Sequence, residues 1–111
     1  MRPRQWEVWK SRPEGIQRDH WFVIISGEER LQSAVYSQIN GLACFTLRGL
    51  LRSTDVRLNA ADGFDTATVC QCDLIYFLDK SRLHSRIGIV SYERQQSIKR
   101  KLIEVFRLIP A

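Results

Sequence analysis

The sequence predicts one small, mainly β domain that ends in a single α-helix. A chain of 111 residues is long enough to build one hydrophobic core and too short to build two. Turn-forming residues recur at short intervals between apolar stretches, and these stretches are rich in β-branched and aromatic residues, which is typical of strands. The one clear helical spacing of apolar residues lies near the carboxyl end of the chain.

The first half of the chain contains three predicted strands. Residues 6–10 (WEVWK) form a short first strand, which is followed by the polar loop 11–15. Residues 21–26 (WFVIIS) are apolar without alternation, which predicts a strand buried on both faces. Residues 41–47 follow as a third strand. The stretch 27–39 between them has no clean period, and either a short helix or an irregular crossover fits it.

The second half begins with a short strand at residues 56–58, which leads into the turn 59–63 (NAADG). Residues 66–72 then alternate as expected for a strand, with Ala67, Val69 and Gln71 on one face and Thr68, Cys70 and Cys72 on the other. Residues 74–78 (LIYFL) either continue this strand or pair with it. A last strand is expected at residues 87–90 (IGIV).

A carboxyl-terminal helix follows the last strand. Ser91 stands where its side-chain oxygen can cap the first turn of the helix. The apolar residues that follow fall on one helical stripe, and the charged residues between them mostly face water. We expect this stripe to be core: it comprises Ile98, Leu102, Val105, Phe106 and Ile109.

The chain is basic, with seventeen Lys and Arg against twelve Asp and Glu and a formal net charge of +5. Arg prevails among the cations, and its guanidinium suits bidentate contact with phosphate and stacking on bases. An anionic partner such as a nucleic acid is consistent with this charge, although many basic proteins bind nothing specific through charge alone.

The three cysteines cannot all form disulfides with one another. Cys70 and Cys72 would place both sulfurs on one face of a strand, and Cys44 lies far away in sequence, so we expect free thiols. A zinc site needs four ligands at recognisable spacing, and His20 and His84 are each isolated from the cysteine pair. We therefore expect no metal site and no cofactor.

The longest apolar runs, residues 21–25 and 74–78, are far too short to span a bilayer. The amino-terminal basic residues are not followed by an apolar segment of the kind found in secretion signals. These features lead us to expect a cytoplasmic protein with no membrane partner.

Five stretches, spread over nearly the whole chain, resemble the motifs of one known protein family. Residues 4–9 (RQWEVW) resemble the R-G-E-V-W first strand of that family, and residues 15–26 resemble its loop and second strand, which end in R-R-P-V-L-V-V-S. Residues 43–46 (ACFT) match the strand that ends in P-L-T. The most specific match is 72–83 (CDLIYFLDKSRL), which is similar to C-D-Q-I-R-T-I-D-K-S-R-L, followed by 87–91 (IGIVS), which is similar to I-G-x-L-S.

In these motifs the chain resembles the PemK/MazF (Kid) family of toxins. The resemblance implies one PemK/MazF-like domain over residues 1–111, an SH3-like β-barrel with a carboxyl-terminal helix. It also implies a homodimeric toxin that is held in check by a cognate antitoxin and cleaves single-stranded RNA without a metal. Such cleavage needs a group that takes the 2′-hydroxyl proton, a group that protonates the leaving 5′-oxygen, and donors for the charge on the phosphate oxygens.

The family threonine of P-L-T maps onto Thr46, whereas the family arginine of R-P is replaced. His20 occupies the position of that arginine, and imidazole can exchange protons near neutral pH. Arg18 is the nearest cation and is a substitute donor. The resemblance therefore points to His20, Thr46 and Arg18 as catalytic residues, although a threonine at a strand end is commonly a turn residue.

RNA-binding candidates lie around these positions. Arg48 follows Thr46, and we expect Arg18, Thr46 and Arg48 to form the floor of the RNA site because they lie on adjoining loops of the implied fold. Asp73, Asp79 and Arg82 keep the family pattern in the 72–83 motif, whereas the arginine of that motif is replaced by Tyr76. Tyr76 either stacks a base or, with its apolar neighbours, packs in the core or a dimer interface.

Two other functions fit the same residues. The first is a toxin of the same fold that acts on a protein target such as DNA gyrase, as the structurally related CcdB family does. The second is a binding module that kept the fold and an antitoxin-like partner but lost catalysis, which the missing arginines favour.

Overall fold

The computed structural model describes residues 2–108. Within these residues the chain forms six strands, two α-helices and two short 3₁₀ turns. The strands are β1 (Glu7–Ser11), β2 (His20–Ile24), β3 (Gln38–Thr46), β4 (Asp55–Leu58), β5 (Thr68–Asp79) and β6 (Leu83–Ile89). The helices are α1 (Glu28–Gln32) and α2 (Tyr92–Phe106), and the 3₁₀ turns cover Ala60–Asp62 and Lys80–Arg82.

The six strands form one antiparallel sheet in the order β4-β5-β3-β2-β1-β6. Strand β3 lies at the centre of the sheet, where Cys44 opposes Trp21 of β2 on one side and Cys70 of β5 on the other. Because directly opposed residues of antiparallel strands share a face, this register decides which side chains meet around the end of β3.

The two edges of the sheet approach each other where β4 runs into the turn 60–63. A Cβ atom placed on Gly63 would lie 2.7 Å from the carbonyl oxygen of Ile87, and one on Gly88 would lie 2.7 Å from that of Asp62. Because glycine has no Cβ atom, only glycine at positions 63 and 88 lets the two backbones approach this closely. Gly63 also has a left-handed φ of 103°. The contact closes the sheet at one end and gives the molecule its barrel character.

Each face of the sheet has its own apolar core. On the face that packs against α2, Ile98 of the helix joins Val8, Leu42, Cys70 and Phe64. On the opposite face, α1 contributes the buried Leu31, which packs with the residues Trp9, Phe22, Ile24, Ile39 and Leu78.

The mainly β class and the carboxyl-terminal helix are confirmed, with several boundaries moved. The first strand begins at Glu7, since Trp6 has a left-handed φ of 73°. The unassigned stretch after β2 contains both α1 and the first residues of β3. Residues 74–78 continue β5 instead of pairing with it, and β6 begins at Leu83, ahead of the predicted start.

Helix α2 differs from the prediction in its cap and in its stripe. The Ser91 side chain makes no capping hydrogen bond, which corrects the prediction; its backbone N–H instead donates to Asp62 Oδ1 at 2.8 Å. Ile98 is buried and Leu102 and Val105 are half-buried, as a core stripe requires, but Phe106, the last residue of α2, is exposed. Ile109, the last residue of the predicted stripe, lies outside the described residues.

The three cysteines are free and buried in the core beside α2, as predicted. The neighbouring thiols of Cys44 and Cys72, and after them burial, raise the pKa of Cys70, so this thiol stays protonated at neutral pH. In the part of the chain that the structure describes, no helix is both long and apolar enough to cross a membrane.

Candidate active site

The structure brings three of the predicted site residues into one surface depression at the end of β3. His20, Thr46 and Arg48 line this depression of about 430 Å³, together with Asp19, Trp21, Cys44 and Phe45. We call it the site depression. It is shallow and open, with an imidazole, a hydroxyl and a guanidinium on its surface, which is a set suited to an anionic ligand.

The strand register explains why His20 and Thr46 meet. His20 is the first residue of β2, and the β2–β3 register continues to place it opposite Phe45, the neighbour of Thr46. The His20 and Phe45 rings are in edge contact, with their centroids 5.7 Å apart. Thr46 ends β3 with its side chain exposed, so its hydroxyl is available to a ligand next to the half-buried imidazole.

Thr46 also lies where three depressions meet. Besides the site depression, it lines one that contains Asp65 and Thr66 and another that contains Arg52 and Asp55. A ligand seated on Thr46 can therefore extend in three directions across the surface. A purely structural role for Thr46, as a turn residue at the end of a strand, does not account for this position at the junction of three depressions.

Sequence reasoning missed an ion pair at the rim of the site depression. Asp19 Oδ1 lies 3.1 Å from His84 Nε2 of β6 and 3.4 Å from Arg12 Nε. The hydrogen bond from His84 lowers the pKa of Asp19, and the positive charges of His84, Arg12 and Lys10 act in the same direction against the cost of burial. Nothing in the local sequence indicates this contact, because it joins the β1–β2 loop to a strand far along the chain.

Other predicted residues gather in a second depression at the opposite end of β3. Tyr76, Asp79 and Arg82 line it together with Gln38 and Glu14. Tyr76 is half-buried, with its ring edge-on to the ring of Phe22 at 5.1 Å between centroids. Of its two predicted uses, base stacking and packing in the core, the structure shows packing on the core. Its neighbours Ile75 and Phe77 point to the other face and are exposed.

Asp79 makes a local structural contact at the second depression, and Arg82 makes one with a segment distant in sequence. Asp79 Oδ1 accepts hydrogen bonds from the backbone N–H and the hydroxyl of Ser81 at 2.9 and 2.7 Å, and these bonds lower its pKa. Arg82 donates to the backbone oxygen of Arg12 at 3.3 Å, which ties the β1–β2 loop to the turn before β6.

Two predicted residues lie outside both depressions. Asp73 is exposed, and its carboxylate is 3.8 Å from Arg52 Nη2. Arg18 is exposed in the loop that precedes His20 and is not part of the lining of the site depression. Of the predicted floor, Thr46 and Arg48 therefore adjoin directly, whereas Arg18 lies two residues before His20 and does not line the depression. Within residues 2–108, no group of three or more His, Cys, Asp or Glu side chains is placed to hold a metal ion.

Solved structures of MazF toxins share this fold over nearly the whole chain. An endoribonuclease in complex with its cognate antitoxin from a mycobacterial species superposes with a TM-score of 0.82 at 21% identity, covering 98% of this chain and 99% of that one. The Mycobacterium tuberculosis toxin MazF-mt6 gives 0.76 at 18% identity, with 94% and 99% covered. MazF from the MazE–MazF complex of Deinococcus radiodurans gives 0.75 at 16% identity, with 96% of each chain covered.

No protein-family model matches the sequence, and no curated protein sequence matches it. The resemblance in the motifs is thus borne out at the level of the fold: this chain is a six-stranded antiparallel sheet with a carboxyl-terminal helix, and it has the MazF toxin fold.

Proposed function

We propose that this protein is the toxin of a toxin–antitoxin pair and cuts single-stranded RNA without a metal ion. The observation that carries the proposal is the site depression, where His20, Thr46 and Arg48 present a proton acceptor, a hydroxyl donor and a cation within one open surface. These are the groups that RNA cleavage through the ribose 2′-hydroxyl requires.

In the proposed reaction the neutral imidazole of His20 takes the proton of a ribose 2′-hydroxyl as its oxygen attacks the adjacent phosphorus. The bond from phosphorus to the 5′-oxygen breaks, and this oxygen takes up a proton from a second donor. The products carry a 2′,3′-cyclic phosphate and a 5′-hydroxyl. Thr46 and Arg48 stabilise the charge that builds on the non-bridging phosphate oxygens. His84, which contacts Asp19 at the rim of the depression, is the candidate proton donor, and Arg18, in the loop before His20, is a candidate hydrogen-bond donor to the phosphate.

The assembly that we propose is a cytoplasmic homodimer controlled by a cognate antitoxin. Two observations support partners of this kind. Some of the solved structures that share the fold are toxin–antitoxin complexes. The chain also exposes large apolar side chains, among them Phe77, Ile89 and Tyr92, which a monomer would leave in water.

One observation favours a second candidate function, a binding module without catalysis. At the position where the resemblance places an arginine in the 72–83 motif, the ring of Tyr76 packs against Phe22 and supplies no cation. A protein that binds RNA, its antitoxin or a protein target such as gyrase does not need that charge. Growth inhibition without RNA cleavage would identify a protein target, and the absence of both would identify the silent module.

The deciding experiment is incubation of the purified full chain, free of any antitoxin, with a long unstructured RNA in EDTA. We expect discrete fragments that end in cyclic phosphate and 5′-hydroxyl groups. His20→Ala should slow cleavage by about 10²–10⁴-fold because a positioned acid or base contributes that much. Thr46→Ala should slow it by about 10²–10³-fold, the typical effect of one donor to the developing charge.

Ser53→Ala is the matched control, since Ser53 is exposed and lies outside the depressions that Thr46 lines. It should cut RNA at the wild-type rate. Intact RNA with the wild-type protein would reject the ribonuclease, and equal activity of wild type and His20→Ala would reject the assignment of His20.

A further inference from the structure

A groove between edge strand β4 and helix α2 is not used by the proposed cleavage. It has a volume of about 390 Å³, and we call it the helix groove. Its cations are Arg57 on β4 and Arg94, Arg100 and Lys101 on α2. Arg94 and Arg100 are six residues apart, or about 9 Å along the helix axis, and Lys101 directly follows Arg100.

The positive charge of the helix groove is largely uncompensated. Its two carboxylates already have partners: Asp55 is bound by Arg52 at 3.3 Å, and Glu104 lies 3.6 Å from Lys101. Within residues 2–108, Arg57, Arg94 and Arg100 form no ion pair with a carboxylate. Three guanidinium groups thus face one groove and remain free to contact an anion.

The helix groove is continuous with the site depression. Between the two lies the depression of about 180 Å³ that contains Arg52. It shares Thr46 and Arg48 with the site depression and Asp55 with the helix groove. The sheet register gives the same path, since Val69 of β5 opposes both Phe45 and Arg57. Two strand spacings, or about 10 Å, therefore separate the strand end at Phe45 from the groove wall at Arg57.

We propose that the helix groove is a second RNA-backbone site, which holds single-stranded RNA that extends beyond the site depression. The assignment of RNA as the ligand rests on the proposed function, in which RNA is the substrate. Arginine guanidinium groups would bind an acidic polypeptide as well as phosphate. The continuous path from Thr46 over Arg48 and Arg52 to Arg57, however, favours one strand of RNA that occupies both the site depression and the helix groove. The site fixes no base sequence, because it offers contacts to the backbone only.

The proposal is tested by binding, so that its failure and a failure of cleavage can be told apart. Two fluorescent RNAs that carry 2′-O-methyl groups, and so cannot be cut, are titrated with the full chain: one of about 20 nucleotides and one of about five. The test variant is Arg94→Gln with Arg100→Gln. The control, with the same change in charge, is Arg2→Gln with Lys99→Gln, whose side chains lie outside the helix groove. Circular dichroism checks that all proteins are folded.

We expect the test variant to bind the long RNA about tenfold more weakly and to bind the short RNA as wild type does. Its slope of log affinity against log salt should fall by about 1.4, or 0.7 for each lost phosphate contact on a single strand. Equal losses in the test and control variants would overturn the proposal, since general charge would then explain binding. Unchanged binding of the long RNA would overturn it too. Loss of poly-glutamate binding alone would assign the groove to an acidic protein partner.

Discussion

Two aspartates occupy opposite settings in this fold, and their regions divide the work of the molecule. Asp62 is fully buried where the turn after β4 meets the start of α2, and it accepts backbone hydrogen bonds from Asn59 at 2.9 Å and from Ser91 at 2.8 Å. Asp19 is partly exposed at the rim of the site depression, where its partners are the side chains of His84 and Arg12.

The two carboxylates contribute differently to stability. Asp62 takes the place of a helix cap: it satisfies N–H groups that would otherwise be buried without partners, and both donors belong to the backbone, so the contact holds two segments in one position. The pair at Asp19 joins flexible side chains in water, and such pairs add little stability. We therefore expect the first region to govern folding and the second to govern proton chemistry.

The largest expected effect comes from removing the buried carboxylate. Asp62→Ala should lower the free energy of unfolding by about 3 kcal/mol, because two charge-assisted hydrogen bonds are lost and two buried donors are left without partners. Urea unfolding followed by circular dichroism measures the change. Asp65→Ala, at an exposed position nearby, should change stability by less than about 0.5 kcal/mol.

Should Asp62→Ala fail to fold, Asp62→Asn preserves the shape and provides a smaller, measurable loss. A change below about 1 kcal/mol in Asp62→Ala would show that the junction does not depend on this residue, and the contrast between the two aspartates would collapse.

The second effect concerns the close approach that closes the sheet. Gly88→Ala should cost about 1–3 kcal/mol, since the new methyl group would meet the backbone of Asp62 and Gly63, which cannot rotate away. Gly27→Ala is the matched control, because a Cβ there meets nothing within 4 Å. Equal unfolding midpoints for the two variants would mean that the edges of the sheet separate without cost.

The smallest effect is a titration at the rim of the site depression. The pKa of Asp19 lies below its ordinary value in the folded protein, so its contact adds stability that is present above about pH 4 and lost as the pH falls through the folded pKa. His84→Ala removes the main cause. Carbon-13 NMR of the carboxyl groups should then show the pKa of Asp19 rising towards its ordinary value.

Asp79 provides the control within the same spectra. Its pKa is lowered by Ser81, which His84→Ala does not touch, so it should titrate identically in both proteins. An Asp19 that titrates alike with and without His84 would show that the imidazole is not its partner in solution.

The sequence located most strands because their signals are local. The apolar run at 21–25 reflects a strand whose residues Phe22, Val23 and Ile24 are buried on both faces. The alternation at 66–72 located β5, although Thr68, Val69 and Cys70 are all buried there. The stretch 27–39 stayed unassigned because α1 is a helix of one turn and a half, held by Leu31 in the core beneath it instead of by its own periodicity. Ser91 satisfied every local requirement of a cap and was displaced by Asp62 from a remote turn.

The candidate site shows the same division. Thr46 and Arg48 were found because they follow a strand that matches a family motif, and His20 because it fills the slot of a family arginine. The contact between Asp19 and His84 and the helix groove were not found, since each combines residues from elements distant in sequence. Tyr76 illustrates the converse, because its residue type suited base stacking until the fold placed it against Phe22.

The mainly β fold, its final helix, the free cysteines and the motifs that resemble a toxin family could be read from the sequence, because periodicity, residue type and spacing act over a few neighbouring positions. The tertiary structure alone decided how the sheet closes at Gly63 and Gly88, which carboxylate caps α2, and which cations share a groove. Those features depend on strand order and register, which bring together residues that no local pattern connects.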